Sequence, residues 1–152
     1  MGLATCSIGG LVGLLMGIPA IAFIIGPALS GEQKKSWIRL GSVQKVETGT
    51  PTLYTVSLTR QTGWLEEVQK IGVYILTDNG REFIAMSNIC THLGCRVRWI
   101  ASEQIFISPC HNGIFDRNGK VVSGPPPRPL DRYEVKVEQD QIMIGKLCLV
   151  ES

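Results

Sequence analysis

Cys90-Thr-His-Leu-Gly-Cys95 and Ser108-Pro-Cys-His-Asn-Gly113 are the two stretches on which the reading of this 152-residue chain turns. Each holds a cysteine and a histidine in the company of turn formers. His92 and His111 are the only histidines, and of the five cysteines Cys90, Cys95 and Cys110 all fall within these stretches. Imidazoles filling a core at random would not both sit within two residues of a cysteine, so the pattern points to a ligand site.

The spacing narrows the chemistry. A structural zinc site wants Cys pairs two to four residues apart, or a matching His pair, and Cys-x-His-x-x-Cys does not fit it cleanly. A Cys-His nucleophile needs only one histidine and usually a strand-turn-helix elbow, for which there is no sign here. Two loops at hairpin tips, each offering a thiolate and an imidazole, suit instead an iron-sulfur centre in which one iron takes sulfur and the other nitrogen.

The sequence around the two stretches is written in short strands. Trp37 to Gly41, Leu53 to Thr59, Ile71 to Thr77 and Glu82 to Ser87 are rich in β-branched and aromatic residues, and Asp78-Asn-Gly80 between the last two is a hairpin signal. Arg96 to Ile100, Glu103 to Ile107, Tyr133 to Val137 and Gln141 to Gly145 repeat the pattern, with Arg117-Asn-Gly119 as a further turn. No stretch after Leu29 carries helical periodicity over a useful length. The expectation is an all-β antiparallel sandwich or barrel with one core. Gly124-Pro-Pro-Pro-Arg-Pro129 cannot join a central sheet and reads as a stiff surface loop, either a connector or a lid over the site.

Ahead of these strands, Ser7 to Leu29 holds no charged residue. At about 1.5 Å rise per residue it is long enough to cross a hydrocarbon core of roughly 30 Å. It also exceeds a signal-peptide core of about 7 to 15 residues and lacks a basic segment before it. A retained N-terminal membrane anchor over residues 1–29 is expected. Gly9, Gly10, Gly13, Gly17 and Pro19 would let a neighbouring helix approach. Residues 30–36 then form a flexible linker and residues 37–152 the β domain. Lys34, Lys35 and Arg39 after the span would, taken alone, place that domain in the cytoplasm. With 15 Lys+Arg against 13 Asp+Glu dispersed along the chain, no nucleic-acid-binding face is indicated.

Together, CTHLGC, PCHNG, the strands between them, the GPPPRP loop and the N-terminal span resemble the Rieske iron-sulfur subunit of cytochrome bc-type quinol oxidases, menaquinol-oxidising bacterial ones in particular. The resemblance covers essentially the whole chain. It implies a Rieske-type antiparallel β sandwich with an inserted cluster-binding subdomain whose loops are residues 90–95 and 108–113, with Pro loop 124–129 covering them. It further implies a [2Fe-2S] cluster held by Cys90, His92 and His111, and a Cys95–Cys110 disulfide joining the loops. His92 and His111 would also receive protons from a quinol. The implied partners are a cytochrome b-type membrane subunit, a c-type cytochrome, quinol and the lipid membrane. The domain would lie on the extracytoplasmic side of the cell membrane, since a disulfide belongs to an oxidising compartment.

One position departs from the family pattern. Its second box begins with a ligand cysteine, and Ser108 stands there. Three outcomes are open: Ser108 binds iron as an alkoxide, Cys110 leaves the disulfide to ligate, or the chain is a cluster-deficient structural subunit of the same complex. A soluble Rieske ferredoxin is disfavoured by Cys95, Cys110 and the span, and a small subunit of an arsenite-oxidase type by the span. The hydroxyls that high-potential members carry in C-P-C-H-G-S-x-Y fall at Gly113 and Phe115 and are absent, which implies a low-potential centre.

Overall fold

Ile71-Gly-Val-Tyr-Ile-Leu76 has no charged residue to turn outward, and in the computed structural model Val73, Tyr74, Ile75 and Leu76 are each at most 5% exposed. Such a run suits a strand covered on both faces. The structure describes residues 2–29, 37–62 and 65–150, so the linker expected at 30–36 lies outside the described residues. The chain divides into two units, residues 1–34 and 35–152.

In the first unit, α1 spans Gly2–Leu29. Its segment Gly9–Gly26 is long and apolar enough to cross a membrane, and large side chains such as Leu15, Met16 and Phe23 stand exposed along it. The helix starts earlier than Ser7, because Gly2 to Cys6 continue it without a breaker.

In the second unit every strand pairs antiparallel, and a single 3-10 turn, Val43–Lys45, interrupts the described strands. β1 (Ile38–Ser42), β2 (Thr52–Thr62), β3 (Leu65–Leu76), β4 (Ile84–Ser87), β9 (Arg132–Glu138) and β10 (Gln141–Cys148) form a six-stranded sheet in the order β1-β10-β9-β4-β3-β2. Its two outermost strands are brought back together: Tyr54 Oη of β2 donates to Ser42 O of β1 at 3.2 Å, and a Cβ on Gly41 would stand 3.0 Å from that ring. The curl encloses Val73, Ile75, Ala85, Ile142 and Ile144 as one core. Each such side chain contributes on the order of 1.5–3 kcal/mol on burial.

Between β4 and β9 the chain inserts a smaller sheet, β5 (Arg98–Ile100), β6 (Ile105–Ser108), β7 (Gly113–Asp116) and β8 (Val121–Ser123), in sequential order. It packs on the outer face of β3 and β4, where Tyr74, Leu76 and Met86 meet Val97, Phe106, Phe115 and Leu130 in a second core. The period-2 alternation of β3 thus serves both cores, odd-numbered residues facing one and even-numbered the other. Tyr74 pins the two sheets further, since its hydroxyl donates to Val97 O at 3.4 Å and accepts from Trp99 N at 3.3 Å. At the periphery, Arg117 in the β7–β8 turn reaches Asp78 in the β3–β4 turn at 3.1 Å.

The expected antiparallel β domain with an inserted subdomain is therefore present. β7 and β8 were not anticipated as strands. At four and three residues they are too short for alternation to register, and only the turn between them was legible, in which Asp116 Oδ1 accepts from Asn118 N and Lys120 N.

Candidate metal centre

Cysteine, histidine and proline in these stretches lie in loops because the neighbouring strands end there. After β4, Cys90 N donates to Cys95 O at 2.7 Å and Gly94 N to Cys90 O at 3.0 Å, closing residues 90–95 into a turn. Gly94 takes φ of 77°, a left-handed conformation glycine adopts without penalty. The second stretch is the β6–β7 hairpin. Ser108 pairs with Gly113, leaving residues 109–112 as the tip, and Asn112 takes the left-handed conformation at φ 52°.

The two turns are held side by side. Cys95 and Cys110 form a disulfide with Cα atoms 6.4 Å apart. His92 and His111, nineteen positions apart in the chain, have ring centroids 4.8 Å apart and planes at 86°. His92 is half-buried with its Nδ1 covered and without a partner, whereas His111 is exposed. Cys90 is a free thiol, 3% exposed, among the residues of the second core. Ser108 is 0% exposed, and its Oγ likewise has no partner. Apolar surface is exposed on both turns, Leu93 at 67% on the first and Pro109 on the second.

The Pro loop closes against both turns. Thr91 Oγ1 donates to Arg128 O at 2.6 Å, and Arg128 pairs in turn with Asp131. A Cβ on Gly113 would stand 2.7 Å from Pro126 Cγ, and one on Gly124 would stand 2.7 Å from Asn112 O. These two glycines mark where backbone meets the loop too closely for any side chain. Thr91, Gly113 and Gly124 were not singled out as supports from sequence; the only signal was glycine immediately beside a proline run and beside a box. Buried Tyr74, which holds β5 beside β3, was equally silent. Desolvation pushes its phenol above the usual value, partly offset by the Trp99 backbone hydrogen bond and the Arg98 charge.

A family profile described as the Rieske [2Fe-2S] domain matches residues 36–134. The chain belongs to the Rieske family. Relatives include the menaquinol:cytochrome c reductase iron-sulfur subunit of Bacillus subtilis, 32% identical over 143 residues, covering 91% of this chain and 84% of the relative. The cytochrome b6-f complex iron-sulfur subunit of Chlorobaculum tepidum is 29% identical over 138 residues, covering 91% and 68%. Among solved structures, the plasma-membrane Rieske protein of Synechocystis PCC 6803 matches with a TM-score of 0.51 and 25% identity, covering 70% of this chain and 97% of that one.

Whether the residues of this Rieske domain fit a [2Fe-2S] group is decided by their unused donor atoms. His92 Nδ1 and Ser108 Oγ are buried and unpartnered, and the Cys90 thiol is free and buried. Leaving a buried polar atom unpaired costs about 1–3 kcal/mol, so unused donors on both turns mark a place shaped to be filled. Among the described residues no three His, Cys, Asp or Glu side chains converge on a single metal ion. The donors left over are one thiol, one hydroxyl and one imidazole nitrogen, the kinds of atom that ligate iron in a [2Fe-2S] group. Cys110 is engaged with Cys95, so its sulfur is not among the unused donors.

Proposed function

We propose that the chain is the Rieske electron-transfer subunit of a membrane quinol:cytochrome c oxidoreductase, with Cys90, His92 and His111 as ligands and Ser108 at the fourth corner of the site. The observation that carries this is the meeting of the two histidine-bearing turns, joined by Cys95–Cys110, with His92 Nδ1 turned inward and unpaired. The names of the relatives support the same reading.

Bound there, the [2Fe-2S] group supplies a one-electron acceptor and donor. The chain's own residues do the rest. With Nδ1 turned inward, His92 keeps its other ring nitrogen for the proton of a docked quinol hydroxyl, and exposed His111 serves in the same way. Leu93, Pro109 and the disulfide give the quinol ring an apolar rest. The Pro loop, fastened through Thr91, keeps water from the turns on the side it covers. A cytochrome b-type subunit takes the second electron, and a c-type cytochrome receives the first. Residues 30–36 serve as the tether of the domain to its membrane anchor, and the domain stands on the extracytoplasmic side, where its disulfide persists.

Menaquinol is the favoured substrate. Gly113 and Phe115 bring no hydroxyl to the site, and Gly113 has no room for one against Pro126. Two missing hydrogen bonds at about 1.5 kcal/mol each lower a one-electron potential by about 60 mV apiece. Ser108 supports one competing reading, a subunit that keeps the fold and complex contacts without iron.

The test is reduction of the full chain, reconstituted with iron and sulfide in lipid nanodiscs, by a menaquinol analogue followed by low-temperature EPR. Stoichiometric reduction that is lost in His92→Ala and His111→Ala is expected. Unchanged iron content in both variants would refute the ligand assignment.

A further inference from the structure

Ser108 is the last residue of β6, and its backbone is fixed opposite Gly113, so its side chain has one well-defined direction. It has no exposed surface, and its Oγ neither donates nor accepts a hydrogen bond. A hydroxyl on a strand end usually turns to a neighbouring carbonyl or to water. On the facing turn, buried His92 Nδ1 is without a partner too, and the buried Cys90 thiol is free. A buried hydroxyl or imidazole nitrogen left without a partner costs about 1–3 kcal/mol. Three metal-competent donors, Cys90 Sγ and His92 Nδ1 on one turn and Ser108 Oγ at the foot of the other, are thus buried and unengaged in turns that the Cys95–Cys110 disulfide joins.

Resting on the Rieske reading above, we propose that Ser108 Oγ is the fourth protein ligand of the centre, beside Cys90, His92 and His111. On ligation the Ser108 O–H bond breaks and an Fe–O bond forms. The proton leaves to solvent and no electron moves. A serine alkoxide carries the same formal charge as the thiolate it stands for, so the total charge of the donor set is preserved. Oxygen is the harder donor and favours the ferric state. Ser108 therefore acts in the same direction as the missing hydroxyls at positions 113 and 115, lowering the potential. The bland alternative is that Ser108 is an occluded hydroxyl beside a site that takes no iron.

The full chain, Ser108→Cys and Ser108→Ala are compared after identical anaerobic loading with iron and sulfide. The readouts are iron and acid-labile sulfide per chain, the EPR spectrum after reduction, and line broadening by 17O-enriched serine. Far-UV circular dichroism and thiol titration confirm that each variant is folded with its disulfide intact. The native chain is expected to hold a full [2Fe-2S] complement with 17O broadening. Ser108→Ala should retain at least about tenfold less, the scale on which loss of a metal-site partner acts. Ser108→Cys should hold a full complement with a changed spectrum and a higher midpoint. Two results overturn the proposal while leaving the family reading intact: Ser108→Ala holding the cluster with the native spectrum, or the native chain remaining empty while Ser108→Cys fills. A folded Ser108→Cys that takes up no iron overturns the cluster reading itself.

Discussion

The curled six-stranded sheet and the sheet inserted between β4 and β9 are made of the same kinds of residues and treat polar atoms differently. Around Val73, Ile75, Ala85, Ile142 and Ile144 no described side chain leaves a buried nitrogen or oxygen unpaired. Every such atom among the described residues, Asn88 Oδ1, His92 Nδ1, Trp99 Nε1 and Ser108 Oγ, belongs to the segment between β4 and β9. The first region is built to be stable without help. The second carries four such atoms, two of them, His92 Nδ1 and Ser108 Oγ, in the histidine-bearing stretches, and borrows its rigidity from the face of β3 and β4, from a disulfide and from the Pro loop.

The borrowing is broken most severely at Phe106, fully buried where the two sheets meet, its ring 4.8 Å from those of Tyr74, edge-on, and Trp99, tilted. Phe106→Ala is expected to cost about 3–5 kcal/mol, read as a lower urea midpoint. Hydrogen exchange should rise across residues 90–123 before it rises across 71–76; simultaneous loss would show that the two sheets are one cooperative unit.

Replacing both Cys95 and Cys110 with serine should cost about 2–4 kcal/mol. The loss should be confined to the turns, with protection of 142–144 unchanged, and a global loss would show that the turns and the curled sheet unfold together.

Gly113→Ser tests the loop. A Cβ there meets Pro126 Cγ at 2.7 Å, and a proline ring does not swing aside. Overpacking of this kind costs about 1–3 kcal/mol, and hydrogen exchange should rise at the Leu130 amide, which donates to Gly119 O at the end of the loop. If the loop stays protected, the closure over the second turn is looser than its packing indicates.

The smallest effect is expected from pH acting at Tyr74. Burial raises the folded-state pKa of its phenol, so the folded chain binds the proton more tightly than the unfolded one. The stability this gives is fully present below the unfolded value of about 10 and is lost as pH rises through the folded value. The urea midpoint should therefore be flat from neutrality upward and fall in alkali. Tyr133, also raised chiefly by desolvation, contributes to the same fall. Tyr74→Phe should make the alkaline fall shallower, and an identical profile would assign it elsewhere.

Much of the site was legible because its chemistry is local. Cys90, His92, Cys95, Cys110 and His111 sit in two short turns whose residue types and spacing announce donors, and Ser108 announced itself by standing where a thiolate belongs. The strands around Ile71–Leu76 and Gln141–Cys148 were legible from β-branched and apolar runs, whereas β7 and β8 were not, being shorter than one clear alternation. The supports were illegible for another reason. Thr91 meets Arg128, Gly113 meets Pro126 and Tyr74 meets Val97 across separations that carry no sequence signal until the sheets have packed.

The sequence by itself determined the apolar N-terminal helix, the β class and the two cysteine-histidine stretches, since these depend on side-chain chemistry and short-range periodicity. Only the tertiary structure decided that His92 and His111 stand together, that Cys110 is spent on Cys95, and that Ser108 Oγ is sealed from water with nothing to bind. Those facts follow from how the inserted sheet packs on β3 and β4. Burial and proximity are properties of the packed chain, and no residue carries them alone.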